Sequence, residues 1–575
     1  MATTSTMLHS PSGSSGKVLF RVGEVESSSV GPYSSLVSQN DSEAESSAPI
    51  HPAPPPPVFD RIEPVLATSV SDLSRAVVIT LLVTANLVQF ISNFLTLSGG
   101  ITLTHALGRE TGPGKANWMA ASYSLTQGAF VLVSGRLGAI YGHQRLALIG
   151  LALFAIFSIA NGFCRSFASF VAVRALSGVG GGIYMPNAIT ALGLMVPPGQ
   201  TRNLLYGLFA AAPPLGGLAG ALLAGLCANW EGLWSWTVLF GSLGVISAIS
   251  CVILAMIMPR ERPVDPQGQI DVVGAILGLS GLLLFNVAWG QAPSVGWSTP
   301  YEIALLISSV LLFSLFLVWE HYFASQPIMP LAVFRVPTFL ALIFVVLFSY
   351  MAFGIALWYS ISWQQVLRQL SVLQIGVNFI PFGLGSTAAV GLAVFLLPRI
   401  EARFVMGIGV VVVIGASLLL ATMPMHQTYW AQVFPAMLLC GCCPDFVYLA
   451  AQVIASNSVS RKHQGIASSL VGTLNLYGVS LGLGFAGTIE VEVGRTATRL
   501  GGQESLEGIM AGFKAALYFS AALAFIGLLL DFAFVKVPKV DRPYWGEEDT
   551  DEIPLEEPNV AIRNTGSTAN GRSLS

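Results

Sequence analysis

Between about residue 76 and residue 537 the sequence repeats one pattern: apolar runs of roughly 18 to 25 residues separated by short polar links. At about 1.5 Å per residue, each run is long enough to cross a hydrocarbon core about 30 Å thick. No water reaches that core, so each run must satisfy its backbone groups internally, and a helix does so. About fourteen runs are present, centred near Val88, Gln127, Phe154, Gly178, Pro214, Gly244, Gly281, Leu311, Val346, Phe382, Val412, Cys442, Asn475 and Leu523. Composition agrees: 10% of residues are charged and 53% hydrophobic, against about a quarter charged in soluble domains. The expected fold class is an all-α polytopic membrane protein.

Residues 1–75 are rich in Ser, Pro and Gly, include Pro54 to Pro57, and carry no apolar stretch long enough for a signal peptide. They are expected to form a disordered cytoplasmic tail, in which the glycosylation-type triplet from Asn40 to Ser42 stays unmodified. Residues 538–575, with Glu547, Glu548, Asp549, Asp551 and Glu552, are expected to form a second, acidic tail. An even number of spans puts both tails on one side of the membrane. Links facing that side carry Arg136, Arg145, Arg202, Arg260, Arg262, Arg335, Arg399, Arg403, Arg461 and Lys462. The opposite links hold fewer, namely Arg109, Lys115, Arg165, Arg368, Arg495 and Arg499. The bias predicts cytoplasmic termini. The segment from Ser134 to Arg145, glycine-rich and basic, is then a tight loop on the cytoplasmic face.

A net charge of -3 with no basic patch argues against a nucleic-acid partner. The six cysteines, Cys164, Cys227, Cys251, Cys440, Cys442 and Cys443, lie in or beside apolar runs and behave there as small hydrophobes. No metal site and no cofactor are expected. No Ser/His/Asp or paired-carboxylate arrangement is recognisable, so an enzyme is not expected.

A span in contact with lipid alone needs no polar side chains, so polar groups repeated on one helical face are informative. The first span carries Asn86, Gln89 and Asn93 at i, i+3 and i+7; the fourth carries Arg174 and Ser177; the twelfth carries Asp445, Tyr448 and Gln452. An unpaired charge at such depth costs at least about 2.5 to 3.5 kcal/mol, so Arg174 and Asp445 should face a wet cavity or a partner. For Arg174 the alternative is an anchor that bonds carbonyls of neighbouring helices. Asp445 follows Pro444, which removes a backbone donor, and a functional role is preferred. For the amides of the first span, interhelical bonding and substrate contact stand level. The run from Gly178 to Gly182 lacks the Lys-Ser/Thr ending of a phosphate loop and suits close helix packing. The Cys440 to Cys443 cluster has no histidine companions and reads as packing, and Asp271 reads as a helix cap.

Several of these stretches resemble those of the major facilitator superfamily, within it the fourteen-span drug:proton antiporters of the fungal branch. Trp118 to Thr126 leading into Gly135-Arg-Leu-Gly-Ala-Ile-Tyr-Gly142 is similar to that family's second span and signature motif, with Arg145 just beyond it. The run from Arg174 to Gly178 is similar to its proton-linked motif, and Pro213-Pro-Leu-Gly216-Gly217 to its antiporter motif. Asp445, His463 to Gly465, and Gly482 to Gly487 complete a combination typical of fungal members. The sequence departs at Ala139, where the signature motif usually has an aspartate thought to cap a helix and pair with an arginine. It departs also at Ser177, where glutamine is usual, and at Ala212, where glycine is usual.

The resemblance implies two six-helix halves, residues 76–258 and 338–537, with two helices inserted between them in 259–337. The first and fourth spans of each half should line a cavity, to which Tyr350, Phe353 and Trp358 of the ninth span add aromatic walls. Residues Gly135, Arg136, Gly138, Ala139, Gly142, Arg145, Pro213, Gly216 and Gly217 form the expected gating motifs. The implied function is export of a small organic compound in exchange for protons, with Asp445 and Arg174 as proton-coupling candidates, by a monomer in the plasma membrane or, alternatively, the vacuolar membrane. Uptake of a small solute such as ammonium or a nutrient is the nearest rival, and a transporter-like membrane sensor a further one.

Overall fold

The computed structural model describes residues 72–108, 116–196, 200–230, 232–258, 263, 265, 268–329, 331–459, 464–501 and 506–536. Both tails up to residue 71 and from residue 537, together with Arg109, Lys115, Arg260, Arg262, Arg461, Lys462 and His463, lie outside the described residues. Among the described residues the apolar runs form fourteen helical spans, and each expected centre falls within one of them. The first is Asp72–Ala106, the second Trp118–Tyr141, the third His143–Phe163 and the fourth Phe167–Met195. The fifth is built of Gln200–Ala210 and Ala212–Ala228, and the sixth is Trp234–Ile257. The inserted seventh and eighth are Val272–Val295 and Pro300–Tyr322. The ninth is Pro337–Ser362, the tenth is built of Val372–Val377 and Ile380–Leu396, and the eleventh is Ala402–Ala421. The twelfth is Val433–Ser458, the thirteenth Gln464–Gly501 and the fourteenth Leu506–Phe534.

Thirteen of these spans are apolar enough to cross a membrane on composition alone, and the second is not among them. Its Ser122, Ser124, Thr126, Gln127 and Ser134 are buried against other helices, which is where a span can carry polar side chains.

Helix starts follow local chemistry. Ser166 and Ser371 each form a reciprocal cap with the residue three positions on. The Asp271 carboxylate accepts from the Gly274 N–H, as expected for a cap. The segment from Ser134 to Arg145, expected as a loop, is mostly helix: the second span runs to Tyr141, the third begins at His143, and the break falls on Gly142. Gly142 has φ +98°, a conformation in which a side chain would be strained. Gly138 stays helical, and a Cβ there would collide with Asn187 Oδ1 and His143 Nδ1, which lie 2.8 Å apart and tie the second, third and fourth spans together.

Packing repeats between the halves. In the first half the pairs are one with five, two with four, three with four, three with six and one with six. In the second half nine packs on thirteen, ten on twelve, eleven on twelve, eleven on fourteen and nine on fourteen, which is the same set shifted by eight. The halves meet along two seams, second against thirteenth and fifth against tenth. Small residues allow this approach: a Cβ on Gly128 would lie 2.8 Å from the Tyr477 backbone nitrogen, and Gly225 leaves no room for one against Leu373. The seventh span lies against the second and thirteenth, and the eighth packs on the seventh.

The run from Gly178 to Gly182 packs as expected, with Gly182 so close to the second span that a Cβ would sit 2.5 Å from the Gln127 carbonyl oxygen. Gly180 faces the third span, where a Cβ would sit 2.5 Å from the Phe154 nitrogen, whereas nothing lies within 4 Å of one on Gly391. Gly180→Val is therefore expected to destabilise by about 1–3 kcal/mol or more through overpacking. Gly391→Val should leave stability unchanged. Thermal unfolding of the two purified variants tests this, and equal melting temperatures would count against the tight third–fourth contact.

Candidate functional site

Between the halves lies a cavity of about 1380 Å³. Its walls come from the first, second, fourth and fifth spans on one side and the ninth, tenth, twelfth and thirteenth on the other. The inserted spans contribute no wall, but the links beside them do, through Asp265 and Ser325 to Ile328. Those link residues sit with Arg136, Ala139 and His143 at the mouth.

At the opposite end the cavity is sealed by contacts between the halves. The Gln365 amide donates to Thr102 Oγ1 at 2.5 Å, and the Asn117 amide donates to the Leu483 carbonyl at 3.2 Å. Trp358 packs in the same region, where a Cβ on Gly100 would be 3.5 Å from its ring.

The floor is aromatic. Phe382 of the tenth span is 5.7 Å from Phe94 of the first and 6.3 Å from Phe353 of the ninth, between ring centroids. Gly217 makes room for this bridge, with a built Cβ only 3.1 Å from Phe94 and 3.2 Å from Phe382. Gly216 lies against Phe90, and Pro213 and Pro214 face the cavity. The antiporter-like motif thus admits the phenylalanine ridge of the first span.

The expected site residues divide into two groups. Asn86, Asn93, Tyr350, Phe353, Asp445, Tyr448 and Gln452 line the cavity, as do Gly135, Arg136 and Ala139 nearer the mouth. The Asn86 amide also donates to the Phe209 carbonyl at 3.1 Å and the Gln452 amide to the Ser468 carbonyl at 3.2 Å. Gln89, Arg174, Ser177 and Trp358 lie outside the lining. Successive helical residues are about 100° apart, so i and i+7 nearly coincide while i+3 is turned by about 60°. Gln89 is turned toward the second span and accepts from the Tyr123 hydroxyl at 3.5 Å, whereas Tyr448, at the same offset from Asp445, stays in the lining. Trp358 is fully buried at the sealed end. Arg145 is exposed.

Arg174 makes the kind of contact expected of an anchor, including a bond to a carbonyl of the first span. Its side chain is fully buried, donating from Nη1 to Ser92 Oγ at 2.8 Å and from Nη2 to the Ser92 carbonyl at 2.6 Å. The guanidinium lies 4.4 Å from the centre of the Tyr123 ring, a cation–π contact within protein rather than lipid. Ser177 donates to the Arg174 carbonyl at 2.7 Å. Arg174 and Asp445 are therefore not brought together.

Among the described residues, Asp445 is the one acidic or basic side chain of the deep lining, since Arg136 and Asp265 belong to the mouth. Ser386 of the tenth span donates its hydroxyl to Asp445 Oδ2. Tyr350 donates to the Pro444 carbonyl at 2.7 Å. Two helices thereby grip the turn of the twelfth span that carries the carboxylate. Ser386, Phe90, Phe94, Phe382 and Asp265 are absent from the residues expected from sequence. The phenylalanines of the first span were within reach, because Asn86, Phe90, Asn93, Phe94 and Leu97 share one face at i, i+4, i+7, i+8 and i+11. Ser386 had no such signal. The cysteines are free thiols, and Cys442 donates to the Gly385 carbonyl at 3.3 Å.

Residues 81–483 and 342–565 match the Major Facilitator Superfamily. The chain belongs to that superfamily. An uncharacterised MFS-type transporter of Schizosaccharomyces pombe is 33% identical over 77% of this chain and 83% of its own length. The low affinity ammonium transporter of Saccharomyces cerevisiae is 32% identical over 74% and 82%, and efflux pump terJ of Aspergillus terreus is 30% identical over 76% and 83%. Other relatives of 30–32% identity are named as an efflux pump, terG of Aspergillus terreus, and a multidrug transporter, mdr3 of Aspergillus fumigatus. The fold is matched by a bacterial homologue of the human lysosomal transporter Spinster, at TM-score 0.57 and 16% identity over 83% of this chain and 100% of that one. This protein is a membrane transporter of that fold.

Arg174→Lys in this transporter keeps the charge and loses the planar fork that reaches both Ser92 groups. It is expected to cost about 2 kcal/mol of stability, since hydrogen bonds to charged groups contribute about 1.5–3 kcal/mol. Thermal unfolding of the purified variant checks this, and a wild-type melting temperature would remove the anchor role.

Proposed function

We propose that this transporter exports a small organic compound by alternating access, in exchange for protons moving inward. The observation that carries this reading is a large cavity, open at one end and sealed at the other, with one carboxylate at depth. A cavity of about 1380 Å³ walled by Phe90, Phe94, Phe353 and Phe382 suits a flat or amphiphilic molecule. Asp445 is the proposed proton site. Its carboxylate holds either a proton or the positive or donor group of a substrate, and competition between them couples the two flows. The Ser386 hydroxyl and the Tyr350–Pro444 bond link that event to the tenth and ninth spans.

Energetics permit resistance by this route. One proton falling through about 100 mV and one pH unit supplies about 2.3 plus 1.4 kcal/mol, which sustains a substrate gradient of a few hundred-fold. In this reading the mouth faces the cytosol, the termini are cytoplasmic, and the protein works as a monomer in the plasma membrane. Its partners are protons, substrate and lipid; no nucleic acid, cofactor or catalysis is invoked.

A second reading is ammonium movement, favoured by the 32% identity to the low affinity ammonium transporter. The size of the cavity weighs against it, because about 1380 Å³ far exceeds what an ion a few ångströms across can fill. Comparing small molecules retained by cells with and without the gene separates the two. Export predicts that an organic compound accumulates in the deletion strain, whereas lower internal ammonium would favour the rival.

Asp445→Asn keeps shape and removes the titrating group. In proteoliposomes with an imposed proton gradient, it is expected to lower uphill transport at least about tenfold, as loss of about 1.4 kcal/mol or more of coupling implies, while substrate exchange at zero gradient continues. Full retention of proton-driven transport would sink the assignment.

A further inference from the structure

At the corner of the second span around Arg136 and Ala139, a carboxylate arrives from the link before the seventh span. Arg136 and Ala139 lie one helical turn apart, and both face the cavity mouth. The Asp265 backbone N–H donates to the Ala139 carbonyl at 2.9 Å, and the Asp265 carboxylate lies 3.0 Å from Arg136 Nη1. The other arm of the guanidinium, Nη2, donates to Gln326 Oε1 at 2.7 Å. The same Gln326 oxygen accepts from the Gln269 backbone N–H at 2.9 Å. Asp265 and Gln269 belong to the link entering the seventh span, and Gln326 to the link between the eighth and ninth. One arginine of the second span thus fastens both links that flank the inserted helix pair.

We propose that Asp265, Gln269 and Gln326, fastened to the corner at Arg136 and Ala139, form a strap across the cavity mouth. The inserted spans build none of the cavity wall, so their links, through Asp265 and Gln326, are the part of the insert that reaches the transport path. Ser325 to Ile328 lie on the mouth rim. Closing the mouth brings that rim together, so the rim segment has to move and Gln326 has to leave Arg136. Bonds made in the open-mouth state and broken on closure bias the equilibrium toward the open mouth. The Arg136 and Asp265 side chains are 31% and 41% exposed. An ion pair so wet, with its accompanying hydrogen bonds, tilts a two-state balance several-fold rather than locking it. A modest bias suits a strap that must release in every cycle. This inference concerns the insert rather than the substrate site, and its readout requires neither substrate nor proton coupling.

Spin-label pairs across the mouth and across the sealed end of the full-length protein in nanodiscs report the ratio of open-mouth to closed-mouth forms. The double variant D265N/Q326A is expected to shift that ratio several-fold toward the closed mouth. The variant R136D is expected to do the same, and R136D/D265R, which restores opposite charges across the contact, is expected to return the ratio toward wild type. A ratio unchanged in D265N/Q326A would overturn the strap. A shift in R136D that R136D/D265R leaves uncorrected would also overturn it, by showing that the corner responds to loss of Arg136 itself rather than to the Arg136–Asp265 bond.

Discussion

A polar group placed in hydrocarbon finds no water, so every hydrogen-bonding atom in the spans must have a partner inside the protein or face a wet cavity. Arg174 and Asp445 show the two outcomes. Arg174 has Nη1 and Nη2 engaged by the Ser92 hydroxyl and carbonyl and its flat face on Tyr123, and it ends buried between the first, second and fourth spans. Asp445 has a hydroxyl from Ser386 but also a face on the cavity. The first is consumed in holding helices together, and the second is left available for exchange with something that enters. The same division separates Gln89, occupied with Tyr123, from Asn86 and Asn93, which look into the cavity.

The constraint also shapes the seams. Helices in a bilayer gain little from burying apolar surface against one another, because lipid tails are equally apolar, so association depends on close backbone approach and a few polar bonds. Gly128 opposite Tyr477 and Gly225 opposite Leu373 provide the approach along the two lines where the halves meet. Gln365 to Thr102 and Asn117 to Leu483 bond across the halves at the far end.

The insert adds a second layer of control at the opposite end. Its helices are peripheral, yet the links on either side of them meet at Arg136. The folded chain brings Asp265 to this corner from 126 positions beyond Ala139, with its backbone amide on the Ala139 carbonyl.

Fourteen spans, their order and the class of the protein were legible from sequence because chain length per helical turn and membrane thickness are fixed quantities. Helical spacing likewise put Asn86 with Asn93, and Asp445 with Tyr448 and Gln452, each on one face. Spacing gives only the angle between residues of one helix. It does not say which helix that angle meets, so the buried fate of Arg174, the withdrawal of Trp358 into the sealed end, the Ser386 partner of Asp445 and the reach of Asp265 to Arg136 were decided by tertiary structure. The break at Gly142 belongs with them: Gly135, Gly138 and Gly142 are alike in sequence, and only the packing of Asn187 and His143 against the second span determines which of them turns the chain.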